Sequence, residues 1–184
     1  MTARDFDPLR LDVAAFAKQA GQLEGRWLLR RLLRLHEMSQ EGVPPTESDG
    51  VSWSARGELV PVSGGGSQPW LHMRASARVA LECQRCLCPV EEFLEVKRSF
   101  LFVHGEDAAA QLDADSEDDV LALTRTLDLQ ELVEDELLLA LPLVPRHVVC
   151  PEPLPLHESL ESPADERPNP FAALAALKRG RPVS

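Results

Sequence analysis

The segment Leu71-His72-Met73-Arg74-Ala75-Ser76-Ala77-Arg78-Val79-Ala80-Leu81-Glu82 constrains the fold more than any other part of the chain. Leu71, Met73, Ala75, Ala77, Val79 and Leu81 alternate there with His72, Arg74, Ser76, Arg78 and Glu82. A period of two is that of a β-strand, whose side chains point to opposite faces in turn. One face then belongs to a core and the other to water, an arrangement typical of antiparallel sheets. Val51, Trp53 and Ala55 alternate in the same way with Ser52, Ser54 and Arg56. Leu94, Val96, Phe100 and Phe102 predict a further strand, with an irregularity near Arg98. Gly64-Gly65-Gly66, between Pro61 and Pro69, reads as a loop. No Lys-Ser/Thr pair follows it, so it is not a phosphate loop. Residues 51–103 thus predict an antiparallel meander.

Helical spacing brackets this meander. Val13, Phe16, Ala17 and Ala20 predict a helix over residues 12–20. In residues 26–35, Leu28, Leu29, Leu32, Leu33 and Leu35 form one stripe and Arg30, Arg31 and Arg34 another. That pattern predicts an amphipathic helix with a basic face. The face is either a solvated surface or a strip for RNA or an acidic partner. The clearest helix spans residues 127–141, with Asp128 as cap, Glu131 in capping-box position and Pro142 as stop. Leu129, Leu132, Val133, Leu137 and Leu141 supply its apolar face, while Glu134, Asp135 and Glu136 read as surface charge or a partner surface. Residues 106–119 hold seven acids and no base, and predict an exposed acidic loop or a dock for a basic partner.

The expected fold is α+β: an antiparallel β meander with flanking helices on one face or end, and a Pro-rich C-terminal tail ending in a short helix. Residues 1–150 would form one domain, 151–168 a linker rich in Pro and acids, and 169–184 a helical tail. Asn169 suits the cap of that tail helix, and Phe171, Leu174, Ala175 and Leu177 its apolar side. So short a helix is marginal alone, so it is expected to dock on its own domain or on a partner, with Asn169 and Phe171 at the contact.

Charge narrows the function. The 184 residues carry a net charge of −11. Phosphate backbones repel such a chain as a whole, which disfavours direct RNA contact outside local exceptions such as Arg30, Arg31 and Arg34. No apolar run reaches the roughly eighteen residues of a membrane span, and the early Asp5 and Asp7 do not suit a secretory signal. A cytoplasmic protein without membrane contact is expected.

The strongest chemical signal is Cys83-Gln84-Arg85-Cys86. A Cys-x-x-Cys turn offers two thiolates, and His147-x-x-Cys150 far downstream could complete a four-ligand Cys3His structural zinc site, with Cys88 to spare. The alternative is small thiols packed at a strand end. Redox use is weaker, because it favours a first Cys at a helix N-terminus, and Pro89 with a β-like stretch follows here. No Gly-x-Ser-x-Gly, His-Glu-x-x-His or Gly-x-Gly-x-x-Gly occurs, and no catalytic residue is singled out.

Three segments together resemble a known family: residues 81–86 (Leu-Glu-Cys-Gln-Arg-Cys), 132–147 (Leu-Val-Glu-Asp-Glu-Leu-Leu-Leu-Ala-Leu-Pro-Leu-Val-Pro-Arg-His) and 167–178 (Arg-Pro-Asn-Pro-Phe-Ala-Ala-Leu-Ala-Ala-Leu-Lys). Their order is similar to that of the YceD family, the bacterial large ribosomal RNA subunit accumulation proteins, and residues 6–11 fit it loosely. The resemblance implies a non-enzymatic role in synthesis, processing or stability of large-subunit (23S) rRNA. Some branches of the family carry additional cysteines near the position of Cys150, where this chain has one. The expected partner is a basic ribosomal protein or an rRNA-processing factor docked on the acidic surface. Two alternatives stand beside it: a direct RNA-binding module using the Arg-rich helix, and a thiol- or metal-dependent enzyme using Cys83 and Cys86.

Overall fold

A computed structural model describes residues 6–39, 50–62, 66–116 and 118–151. Five strands form one sheet in chain order: β1 (Gln22–Leu28), β2 (Gly50–Pro61), β3 (Ser67–Glu82), β4 (Pro89–Val103) and β5 (Asp119–Ala122). Neighbours pair antiparallel except β4 and β5, which are parallel. Four α-helices accompany them among the described residues: α1 (Val13–Lys18), α2 (Leu33–Glu37), α3 (Glu106–Asp115) and α4 (Leu129–Leu139). The fold is α+β, with the expected meander at its centre.

The alternation in β3 does what its period demands. Leu71, Met73, Ala75, Ala77, Val79 and Leu81 are all buried, while Arg74, Arg78 and Glu82 are exposed. Their face joins Trp53, Ala55, Leu94, Val96, Phe100 and Phe102 in one core. Two helices close that core. Asp12 caps α1 by accepting from the Ala15 N–H at 3.0 Å, and Val13, Phe16 and Ala17 are buried. The helix packs against β2 at Gly57, where a Cβ would meet Phe16 and Ala17 backbone at 2.8 Å. Only a residue without a side chain allows that approach. Asp128 caps α4, accepting from the N–H groups of Gln130 and Glu131, and Leu129, Val133 and Leu137 face the core.

The irregularity near Arg98 has a clear origin. The ladder stays in register there, with Arg98 opposite Met73. Arg98 occupies an inward position between Val96 and Phe100, so a charge interrupts the apolar row. Its Nε donates to Glu136 Oε2 on α4 at 2.8 Å.

Two expectations fail. Residues 26–35 do not form one helix: residues 26–28 belong to β1, a 3-10 turn covers Leu29–Arg31, and only Leu33–Glu37 is α-helical. Trp27 lies opposite Val51 and stacks on Trp53 with ring centroids 4.3 Å apart, so sheet pairing overrides the helical spacing. The stripe also splits, with Leu29, Leu32 and Leu35 buried and Leu33 exposed. The acidic stretch from residue 106 is not a loop but α3 followed by β5. Glu106 and Asp107 sit in its first turn, where the helix dipole favours negative charge. Ala109 packs on Leu101 and Val120 in a second, small cluster. Asp113 accepts from the Val120 N–H at 3.0 Å. Acids that solvate one side of a helix look, in sequence, like a segment without a core.

If α4 is the clamp on the main core, Leu137→Ala, at 0% exposure, should lower unfolding free energy in urea by roughly 2–5 kcal/mol. Leu139→Ala, at 73% exposure on the same helix, should change it by less than about 0.5 kcal/mol.

Candidate metal centre

β3 ends at Glu82, and the chain turns back into β4 through residues 83–88. Backbone bonds hold this turn: the Cys83 N–H donates to the Cys88 carbonyl at 3.0 Å, and the Leu87 N–H to the Cys83 carbonyl at 2.8 Å. Leu87 adopts a left-handed φ of 60°, the sharpest point of the turn. Residues 142–151 return to it after α4. The Gln84 N–H donates to the Pro145 carbonyl at 2.9 Å, tying the two segments together.

This tie brings Cys83, Cys86, His147 and Cys150 to one place, with all ligand atoms within 4.8 Å of one another. The Cys83 and Cys150 sulfurs are 3.9 Å apart, and Cys86 Sγ is 3.4 Å from His147 Nδ1. Cys83 is fully buried and the other three are half-buried. His147 Nε2 donates to the Pro89 carbonyl at 2.9 Å. A carbonyl only accepts, so Nε2 carries the proton and, in the neutral ring, Nδ1 presents its lone pair to the sulfurs. A carbonyl that accepts from the other ring nitrogen, and so fixes the tautomer, is the usual arrangement around a metal-bound imidazole. Arg85 reaches across, its Nε donating to Cys150 Sγ at 3.0 Å and its Nη2 to the His147 carbonyl at 3.1 Å.

The thiols are unlike one another. Burial pushes Cys83 up, but bonds from the His147, Arg85 and Cys86 backbone outweigh it and bring the thiol down to about 5. Burial pushes Cys86 up to about 12, with Cys150, Cys83 and Cys88 adding to the rise by hydrogen bonding. The four donors are those of a closed tetrahedral thiolate–imidazole metal site, and they fit such an ion. Cys88 stays outside, its thiol directed to the Cys86 carbonyl at 3.5 Å. The Cys83–Cys86 pair sits in a strand-to-strand turn and not at a helix N-terminus, so it lacks the placement of a thioredoxin-type couple.

The other singled-out residues are dispersed. Glu134 and Glu136 are not surface charge: both are 8% exposed. Glu134 Oε1 accepts from the Leu35 N–H at 3.1 Å and Oε2 from Arg34 at 3.1 Å. Asp135 accepts from Arg34 Nη1 at 2.6 Å. Arg34, Glu134, Asp135 and Glu136 are therefore engaged with one another and with Arg98, joining α2, α4 and the sheet. Periodicity along one helix carries no information about a cation on another element. Arg30 and Arg31 are exposed on the turn before α2. Asn169 and Phe171 lie outside the described residues, as do the expected linker and tail helix. Sequence reasoning overlooked Arg85, Pro89 and Pro145; the Arg between the two turn cysteines was the available signal.

Glu134→Ala would leave the Leu35 N–H without an acceptor and should cost roughly 1–3 kcal/mol in urea unfolding. Asp135→Ala, which removes an exposed pair, should cost under about 1 kcal/mol.

The family model for the large ribosomal RNA subunit accumulation protein YceD matches residues 71–178, which include all four candidate ligands. The Haemophilus influenzae protein of that name is 39% identical over 105 residues, covering 55% of this chain and 60% of the relative. The chain thus spans less than two thirds of that relative's length. No solved structure matches it significantly. With more than half of its residues matched by the family model, from β3 through the metal-site segment, the chain belongs to the YceD family.

Proposed function

We propose that this chain is a non-enzymatic factor that supports synthesis, processing or stability of large-subunit (23S) rRNA, and that it acts by binding. The family match across residues 71–178 carries this reading. The architecture agrees with it: among the described residues, the dense cluster of reactive side chains is a closed four-donor group with the character of a structural tie. The partner on the acidic side is a basic ribosomal protein or rRNA-processing factor. Glu106 and Asp107 are exposed in the first turn of α3, and no base lies between residues 106 and 119. In the native host, deletion should lower 23S relative to 16S rRNA, and Glu106→Gln/Asp107→Asn should reduce co-purification of ribosomal proteins. An unchanged 23S to 16S ratio in the deletion strain would sink the reading.

The metal that suits Cys83, Cys86, His147 and Cys150 is zinc. At zinc–sulfur and zinc–nitrogen lengths of about 2.3 and 2.0–2.1 Å, tetrahedral ligands lie roughly 3.6–3.8 Å apart. The observed 3.9 and 3.4 Å separations bracket that span. When bound, zinc would supply a structural cross-link between the β3–β4 turn and the segment after α4. Native mass spectrometry of untagged protein should find one zinc per chain, lost on Cys83→Ser and on Cys150→Ser alike and kept on Cys88→Ser. Uptake should weaken as pH falls, because protons compete for the thiolates. Cys86 must give up a proton at neutral pH, and Cys83 regains one below about 5.

A further inference from the structure

The face of the sheet turned away from the main core is covered in part. α3 packs over Leu101 and Val120 at the β4–β5 side. Farther along, outward residues of β1 to β4 line a concavity of about 730 Å³. Two cross-strand rows run through it, Ser54–Arg74–Lys97 and Arg56–His72–Ser99. Arg56, Arg74 and Lys97 are exposed, and Glu24 is the one carboxylate among the lining residues.

Arg74 and Lys97 lie directly opposite each other. Like charges in opposed positions destabilise an antiparallel pair. The chain has 30 acids for 19 Lys and Arg, so carboxylates to separate them are plentiful. Other arginines on the sheet use them: Arg78 pairs with Glu91, Arg98 with Glu136, and Arg56 shares Glu58 with His72. Among the described residues, neither Arg74 nor Lys97 has an ion-pair partner. Next along the same face of β3, half-buried Trp70 lies near-parallel to His72, with ring centroids 6.3 Å apart and an interplanar angle of 11°. A cationic groove beside an aromatic step is how proteins hold single strands of nucleic acid.

We propose that this strip binds the sugar–phosphate backbone of a single-stranded RNA segment, with Arg74 and Lys97 on phosphates and Trp70 beside a base. The inference deepens the 23S rRNA reading, on which it rests, by making RNA itself a ligand. Neighbouring strands are about 4.8 Å apart, so the two opposed cations, on long side chains, can reach successive phosphates of an extended strand. The net charge of −11 then assists selectivity. Acidic surface elsewhere repels phosphate and confines RNA to the strip.

The test is fluorescence anisotropy of a labelled single-stranded RNA of about 12 nucleotides, the size of one such groove. The wild-type chain should bind it, with affinity falling steeply as salt rises. Arg74→Glu/Lys97→Glu should weaken binding at least about tenfold and flatten the log–log salt slope by about 1.4, the share of two phosphate contacts. Lys97→Glu alone sets opposite charges across the pair. It should keep or raise the wild-type unfolding midpoint while weakening binding, which separates lost contact from lost fold. Arg30→Glu/Arg31→Glu should bind as wild type does. Absence of wild-type binding at low salt, equal binding by the Arg74/Lys97 reversal, or loss confined to the Arg30/Arg31 reversal would each overturn the strip. The two readings fail separately. If deletion leaves 23S rRNA unaltered, the biogenesis role falls whatever the anisotropy shows. If wild type restores 23S rRNA but the reversal variant binds RNA equally, the strip alone falls.

Discussion

β3 and β4 pair without interruption from Trp70 opposite Leu101 to Glu82 opposite Pro89, and the remaining structure is placed by that register. Because side chains alternate, a slip of one residue would exchange the two faces. It would turn Met73, Ala75 and Val79 to water and Arg74 and Arg78 to the core. The register also sets both ends of the hairpin. At one end the tight turn presents Cys83 and Cys86 together; at the other, β4 runs on into α3 and then β5. Burial of one apolar row therefore positions the candidate metal centre and the basic strip at once.

α4 is joined to this hairpin by three kinds of force. Leu129, Val133 and Leu137 supply non-directional burial. Glu136 meets Arg98, the charge set into the core face of β4, and Glu134 takes both Arg34 and the Leu35 N–H. These bonds are directional, and buried charge without them would be costly. Beyond the helix, the His147–Cys150 segment returns to the Cys83–Cys86 turn, and a bound ion would close a loop of more than sixty residues, counted from Cys86 to His147. The position of α4 on the sheet is what lets that loop close.

Charge is unevenly distributed over the described surface. Glu106 and Asp107 are exposed in the first turn of α3, while on the sheet Arg56, Arg78 and Arg98 each meet a carboxylate. Arg74 and Lys97 are the departure, held side by side at some cost to the sheet. The two proposed ligands, a basic protein and a phosphate chain, would thus meet different parts of the same molecule.

What the sequence determined by itself was whatever local spacing can express. The two-residue period marked β2, β3 and β4, the helical period marked α1 and, with Asp128 as cap, α4, and Cys-x-x-Cys with His-x-x-Cys marked four candidate ligands by type. Each signal needs only neighbours within a few residues. Tertiary structure decided the rest. Stacking of Trp27 on Trp53 made residues 26–28 a strand despite their helical stripe. The small cluster of Ala109 with Leu101 and Val120 made an acidic run into α3 and β5. The partners of Glu134 and Glu136, the meeting of Cys83 with Cys150, and the opposition of Arg74 to Lys97 depend on cross-strand register and helix packing. Those are set by the summed burial of residues far apart in the chain, and no short window of sequence contains both members of any of these pairs.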